Sequence, residues 1–398
     1  MTAPQRTALR RRWRGLPRWV RVSLVCATVL VVTGGAAYGA GVYLVHRYGG
    51  AVHQAQLLGD AAATGTGPAG STPVPASISG PLNILLLGTD ERADDPSGGS
   101  RSDTIIIVHV SAAHDHAYLV SIPRDTRVDI PAFDRTGYRG GTDKINAAYS
   151  YGYANGGGQS GGVELLALTV QRLTGLSFNA AAVVNFAGFQ QVVNAVGGID
   201  LCVDEKTTSV HIGWDAQGRE TAPYRLVPPD YHAVAIPGVR PQVYQPGCQH
   251  MAGWQALDYV RQRELLPDGD YGRERHQQQF LSALAAKLTG SGMLTHPLAL
   301  DAALRATAGA VTFDGNGTSV TDWIYTLAGL SPGDLTMLKT NGGQFNTQVI
   351  NGQDFEILDD TSLQLLQSIR ADTLASFVAT HPTWVTSGGA PTGTPPAR

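Results

Sequence analysis

Short continuous apolar runs open the folded part of the chain. NILLLG (83–88), DTIIIVHV (103–110) and AYLVSI (117–122) predict strands covered on both faces. GVELLALTVQRL (162–173) spaces its apolar residues as a helix does, AAVVNF (181–186) reads as a strand, AGFQQVVNAV (187–196) as a helix and GIDLCV (198–203) as a strand. Two more helices are expected over Met251 to Val260 and Asp270 to Leu288, and residues 205–247, dense in Gly, Pro and Tyr, predict a long excursion with hairpins. GGGQSGG (156–162) reads as a link between two helices. Strands alternating with helices give the fold class α/β (α+β), a central mixed, largely antiparallel sheet sandwiched by helices.

A different pattern precedes this. Val22 to Val45 is uncharged for 24 residues, enough to span a hydrocarbon core of about 30 Å as a helix rising about 1.5 Å per residue. Seven arginines and no acid fill residues 1–21, which predicts a cytoplasmic N-terminus, a single transmembrane helix over 22–45 and an extracellular remainder. A cleaved signal peptide is the competing reading, because small residues fill Gly34 to Gly41. From 46 to 80 the chain is rich in Ala, Gly, Thr, Ser and Pro and predicts a flexible extracellular linker. Residues 81–380 are expected to form the folded domain and 381–398 a disordered tail.

With the seven arginines set aside, the formal charge of −3 becomes −10 for residues 22–398, so the exported part lacks the basic field that nucleic acid requires. Cys26 lies in the predicted span, which leaves Cys202 and Cys248 in an oxidising exterior, where a disulfide is expected and two buried thiols are the alternative.

If the first three strands are antiparallel neighbours, geometry gathers their charged flanks on one sheet edge. Asp90 and Arg92 follow the first strand, Arg101 and Asp103 precede the second, and Arg124 with Asp125 follow the third. Solvated surface pairs would explain any one of these, and such pairs contribute only about 0–1 kcal/mol. YVRQRELLPDGDYGRERHQQQF (259–280) adds more. In a helix Arg261 and Arg263 would diverge by about 200°, so convergence requires the helix to end near Val260. Asp270 then reads as an N-cap, with Arg273, Gln277, Phe280, Leu281 and Leu284 on one stripe of the next helix.

Several arginines suit an anion rich in oxygens, because each guanidinium offers paired donors. Carboxylates in the same place would repel that anion unless a divalent cation stands between, and oxygen ligands with phosphate suit Mg²⁺ or Mn²⁺. The set therefore describes a metal-pyrophosphate site. No GxxxxGK[ST] loop supports a nucleotide, and outside the membrane a polyprenyl-linked sugar is the anchored pyrophosphate expected. Serine hydrolysis would have to use Ser102 beside Asp103, which no nucleophile elbow surrounds, and the histidines lack metal-ligand spacing.

NILLLGTDER, SRSDTIIIVHV, SIPRDTRVDIP, DKINAAYSYG, NFAGFQQVVNAVGGI, QALDYVRQR and GDYGRERHQQQ, in this order over about 82–290, resemble the LytR-CpsA-Psr family of cell-wall proteins. The resemblance implies a magnesium-dependent phosphotransferase moving a glycopolymer from a polyprenyl-pyrophosphate carrier to peptidoglycan. By motif, Asp90 and Asp103 would hold Mg²⁺ (or Mn²⁺), and Arg101, Arg124, Lys144, Arg261, Arg263, Arg273 and Gln277 would contact the pyrophosphate. Asp270 would orient the arginines or assist proton removal, and Asp90, Asp103, Arg101, Arg263 and Asp270 form the implied catalytic set. His276 departs from the pattern, standing where many members carry a basic residue. The expected partners are a polyprenyl-pyrophosphate-linked glycan, peptidoglycan and the cell membrane, with no nucleic acid. A polyprenyl-pyrophosphate hydrolase and a non-catalytic carrier-binding envelope regulator are the alternatives.

Overall fold

The computed structural model describes residues 53–63, 78–90, 100–228, 232–290 and 311–386. The expected cytoplasmic segment, the expected transmembrane helix and residues 91–99 between the first two apolar strands lie outside them. Among the described residues no helix is long and apolar enough to cross a membrane.

Among the described residues the first strands are β1 (His53–Gln54), β2 (Leu82–Thr89), β3 (Ser102–Val110), β4 (Ala117–Ser121), β5 (Arg127–Ile130) and β6 (Gly141–Lys144). After them come β7 (Ala180–Asn185), β8 (Ile199–Val203), β9 (Thr207–Trp214), β10 (Glu220–Thr221), β11 (Tyr224–Val227) and β12 (His232–Ala235). The last six are β13 (Arg240–Tyr244), β14 (Gly247–Met251), β15 (Val311–Asp314), β16 (Leu335–Lys339), β17 (Thr347–Ile350) and β18 (Gln353–Glu356). The helices are α1 (Ile145–Tyr153), α2 (Gly158–Thr174), α3 (Phe186–Ala195), α4 (Gly253–Arg261), α5 (Gly269–Gly290), α6 (Val320–Leu327), α7 (Asp360–Arg370) and α8 (Leu374–Thr380).

Seven strands form the central sheet in the order β1-β15-β7-β2-β3-β4-β16. β2, β3 and β4 are consecutive antiparallel neighbours, as the edge argument requires. The sheet is mixed, but not largely antiparallel: β7 joins β2, β16 joins β4 and β1 joins β15 in parallel. For β7 the cause is a helical crossover, since the chain that leaves β4 and returns through α1 and α2 re-enters the sheet in the same direction.

Both faces are covered, which explains the unbroken apolar runs. Leu85, Leu87, Ile105, Ile107 and Val120 face Tyr149, Leu166, Val170 and Leu366 of α1, α2 and α7. On the opposite face Ile106, Leu119 and Met337 pack with Leu281 of α5. A further cluster joins α3, β8, β13, α4 and α5 through Val193, Leu201, Tyr244, Tyr259 and Phe280. The hairpins of 205–247 are present, and Cys202 faces Cys248 in the β8–β14 ladder, where the two are bonded as a disulfide. The glycines of GGGQSGG let α1 and α2 approach: a Cβ on Gly161 would stand 2.4 Å from the Gly152 carbonyl oxygen.

Two boundaries need correction. Residues 53–63, expected within the linker, are folded: Leu57 and Leu58 are buried, and their amides donate to Asp314 Oδ2 at 2.6 and 3.0 Å. Two leucines among small residues show no periodicity, yet they fill a core cavity. The tail also begins later than 381, because Thr386 N donates to the Met337 carbonyl at 2.8 Å.

Candidate functional site

The Thr89–Ser102 pairing at the open end of β2 and β3 carries a bulge, so the chain beyond it turns Asp90 back across the pair. Asp90 Oδ1 accepts from the Arg101 amide at 2.7 Å and from Ser100 Oγ at 3.3 Å. Ser150 of α1 donates to the Ser100 carbonyl at 2.8 Å, which ties this turn to the helix layer.

Asp103, two residues into β3, meets the loop after β4. Arg124 Nη1 donates to Asp103 Oδ1 at 2.8 Å, and Arg124 Nε lies 3.6 Å from Asp270 Oδ2. Asp270 also receives Arg273 Nη1 at 2.9 Å and Arg263 Nη1 at 3.4 Å, while Arg273 Nη2 reaches the Asp103 carbonyl at 3.4 Å. Residues from β3, the β4 end, the α4–α5 link and the first turns of α5 thus converge on two carboxylates. Burial pushes both carboxyls up. The guanidiniums of Arg124, Arg273 and Arg263 outweigh it and hold Asp103 and Asp270 below the usual carboxylate range. Burial likewise disfavours the Arg124 cation, but Asp103, Asp270 and Asp125 raise its pKa.

The two arginines flanking Gln262 are set by that residue. α4 ends at Arg261, and Gln262 is extended (φ −66°, ψ 135°). Its side chain turns inward, receiving the Val210 amide at 2.9 Å and donating to Asp258 Oδ1 at 2.8 Å, so its neighbours point outward. Asp258 is further held by Ser209 Oγ and Tyr244 OH, both at 2.8 Å. Arg263 reaches Asp270, whereas Arg261 lies over the Phe186 ring at 4.1 Å. Phe186 follows Asn185, whose register partner is Thr89, so Arg261 stands on the β7 side of the same edge.

Lys144 Nζ pairs with Asp125 Oδ1 at 3.2 Å, next to Arg124. The Arg101 side chain is exposed. Gln277 is not drawn into the Asp103–Asp270 cluster: its Nε2 lies 3.5 Å from the Val260 carbonyl.

Asp270 is not an N-cap. α5 begins at Gly269, so Asp270 sits in its first turn and its carboxylate serves the arginines instead. Nor is α5 amphipathic at its start, where Tyr271, Gly272, Arg273, Glu274, His276 and Gln278 are all buried. Arg275 leaves the cluster for Asp204, Glu205 and Asp268. His276 stacks on Tyr259 at 4.1 Å, and burial, reinforced by Arg275, pushes its pKa down to about 4. A neutral ring therefore fills the space of the expected basic residue. GQSGG (158–162) has the spacing of a nucleophile elbow, but Ser160 stands at the start of α2 behind another helix and accepts from Arg135 Nη2 at 3.2 Å.

Glu264, Glu274 and His211 escaped the sequence reading. Glu264 Oε1 accepts from Arg263 Nε at 3.0 Å. His211, half-buried on β9, is pushed down to about 4 by burial and by Arg261, against the pull of Glu264. The signal for Glu274 was its i, i+4 spacing to Gln278, masked by the assumption of a solvated helix face.

Among the described residues no group of three or more His, Cys, Asp or Glu could hold a metal. Two carboxylates nevertheless suit Mg²⁺, which keeps waters and takes ligands from substrate phosphates. Among the described residues Asp90 and Asp103 each keep Oδ2 without a hydrogen-bond donor, and the buried Thr89 Oγ1 beside them has no partner. The donor set fits.

This arrangement sets carboxylate-braced arginines, whose chemistry suits an anion, at the edge of a mixed sheet on an α+β scaffold. Residues 55–371 match the LytR_cpsA_psr family, and the chain belongs to it. The match runs past the motifs and takes in β16 and the Glu356 region. A polyisoprenyl-teichoic acid–peptidoglycan teichoic acid transferase TagU of Bacillus cereus (strain AH820) is 32% identical over 219 residues, covering 55% of this chain and 56% of that one. The protein of the same name from Oceanobacillus iheyensis is 34% identical over 202 residues, covering 51% and 50%. The chain thus spans about half the length of these relatives. Among solved structures, TagV of B. subtilis superposes with a TM-score of 0.53 at 24% identity, over 74% of this chain and 98% of that one. Protein gbs0355 of Streptococcus agalactiae gives 0.54 at 23% identity, over 74% and 88%. Both share its fold.

Proposed function

We propose that this chain is a membrane-anchored phosphotransferase that attaches a glycopolymer, carried on polyprenyl pyrophosphate, to peptidoglycan outside the cell, with Mg²⁺ as cofactor. The observation that carries the reading is the convergence of Arg124, Arg263 and Arg273 on Asp103 and Asp270. Family membership and the names of the relatives support the substrate class. The apolar stretch 22–45 behind seven arginines supports the anchor.

In this reading the acceptor hydroxyl attacks the phosphorus that bears the glycan. The bond from that phosphorus to the bridging oxygen breaks, polyprenyl phosphate departs, and the hydroxyl proton is released. Arg124, Arg263 and Arg273, already aligned by carboxylates, take up charge on the leaving phosphate with little reorganisation. Arg101, Lys144 and Arg261 border the same edge. Gln277 would have to turn from Val260 to take part. Asp90 and Asp103 would hold Mg²⁺, which would neutralise pyrophosphate charge. Asp270, below the usual carboxylate range and bound to three guanidiniums, is suited to orienting them and is a weak base.

The test incubates the full chain in detergent with a polyprenyl-pyrophosphate oligosaccharide, peptidoglycan and Mg²⁺, and weighs the products. A phosphodiester conjugate together with polyprenyl phosphate is expected. Free glycan phosphate without conjugate would make the chain a hydrolase, and binding with no turnover a carrier-binding regulator.

A further inference from the structure

Behind the arginine cluster lies a carboxyl that the reaction does not use. Glu274, on α5 directly after Arg273, is 5% exposed, and its Oε2 has no hydrogen-bond partner. One turn further on, Gln278 is fully buried. Its Nε2 donates to Ser121 Oγ and to the Leu338 carbonyl, at 3.0 and 3.1 Å, and its Oε1 has no donor. Residues four apart on a helix share a face. Two buried acceptor oxygens without a donor on one face of the helix are an unfavourable arrangement that one proton relieves.

We propose that Glu274 is a positioning residue that holds a proton on Oε2 at neutral pH, donating toward Gln278 Oε1 directly or through one water, and so keeps the arginine cluster assembled. The surroundings agree. Glu274 faces Arg273 and Asp270 of its own helix, Glu356 of β18 and Lys339 at the end of β16. Glu356 cannot supply the missing donor: it accepts from Tyr271 OH at 2.9 Å, Asn341 Nδ2 at 2.7 Å, the Asn346 amide at 2.8 Å and Thr347 Oγ1 at 3.1 Å. Burial pushes the Glu274 carboxyl up to about 8; Arg273 opposes the rise, and Asp270 and Glu356 add to it.

Ionisation would have a specific consequence. Arg273 Nε is buried without a partner. A carboxylate at Glu274 would offer it a competing anion and place a third negative charge beside Asp270 and Glu356. The guanidinium that spans Asp270 and the Asp103 carbonyl would be drawn back from the site. Neutral Glu274 leaves it in place.

Two measurements on the full chain in detergent test this. In the first, wild type and Glu274→Gln, which keeps a donor but cannot titrate, are melted from pH 5 to 9.5. The folded carboxyl titrates above its unfolded value of 4.5, so the stability due to its proton is present at low pH and is lost as pH rises toward about 8. Wild type should lose melting temperature relative to Glu274→Gln across that window and level off above it. A difference that does not change with pH overturns the proposal.

In the second, calorimetry follows farnesyl pyrophosphate binding with Mg²⁺ at pH 7 and pH 9. Wild type should weaken about tenfold, because only the neutral fraction binds, while Glu274→Gln holds its affinity. An equal loss in both proteins overturns the proposal. This arm rests on the pyrophosphate reading of the site. Absence of binding by wild type at any pH would reject that reading, and the melting comparison would still decide the proton. Should Glu274→Gln not fold, Glu274→Met replaces it in both arms.

Discussion

Arg263→Ala is expected to lower the proposed glycopolymer transfer about 10³-fold while leaving the fold intact, the loss associated with removing one well-aligned charge from a phosphoryl-transfer site. The side chain is 29% exposed and makes two ion pairs, with Glu264 and Asp270, so its removal should cost about 1 kcal/mol of stability or less. Its value lies in position. Nε and Nη1 are held by carboxylates, and among the described residues Nη2 donates to no protein acceptor. Mass analysis of products under single-turnover conditions measures the effect. Transfer within a few fold of wild type would remove Arg263 from the reacting centre.

Asp270→Ala should have the largest effect on stability, about 3–5 kcal/mol in a denaturant titration, because it leaves three partly buried guanidiniums without their shared counter-charge. Asp270→Asn, which preserves shape, should recover part of that loss but not the activity. A loss below about 1 kcal/mol for Asp270→Ala would mean that the arginines are braced elsewhere and that Asp270 does not assemble the site.

The central strands and most helices were legible because burial on both faces leaves an unambiguous run of Ile, Leu and Val. Their antiparallel order then placed Asp90, Asp103 and Arg124 on one edge, as the structure shows. Three features were hidden for physical reasons. Leu57 and Leu58 have no periodic company, so a core-filling segment read as linker. The parallel entry of β7 and β16 depends on which distant strand each pairs with, which no local pattern records. Along α5 the charged residues implied a solvated face, whereas the helix runs between the sheet, α4 and the β17–β18 hairpin and is buried on nearly every side in its first turns. Glu274 went unread as a result. The direction of the Gln277 amide, which turns to Val260, was likewise not legible in the motif.

The account turns on whether Asp90, Asp103, Arg124 and Arg263 bind one ligand together. Crystals of residues 46–398 grown with farnesyl pyrophosphate and Mn²⁺, with diffraction collected at the manganese edge, would address this most directly. The expected map has its anomalous peak against the Asp90 and Asp103 carboxylates and diphosphate density on the Arg124 and Arg263 guanidiniums. A manganese peak on other residues, with the diphosphate away from both arginines, would contradict it.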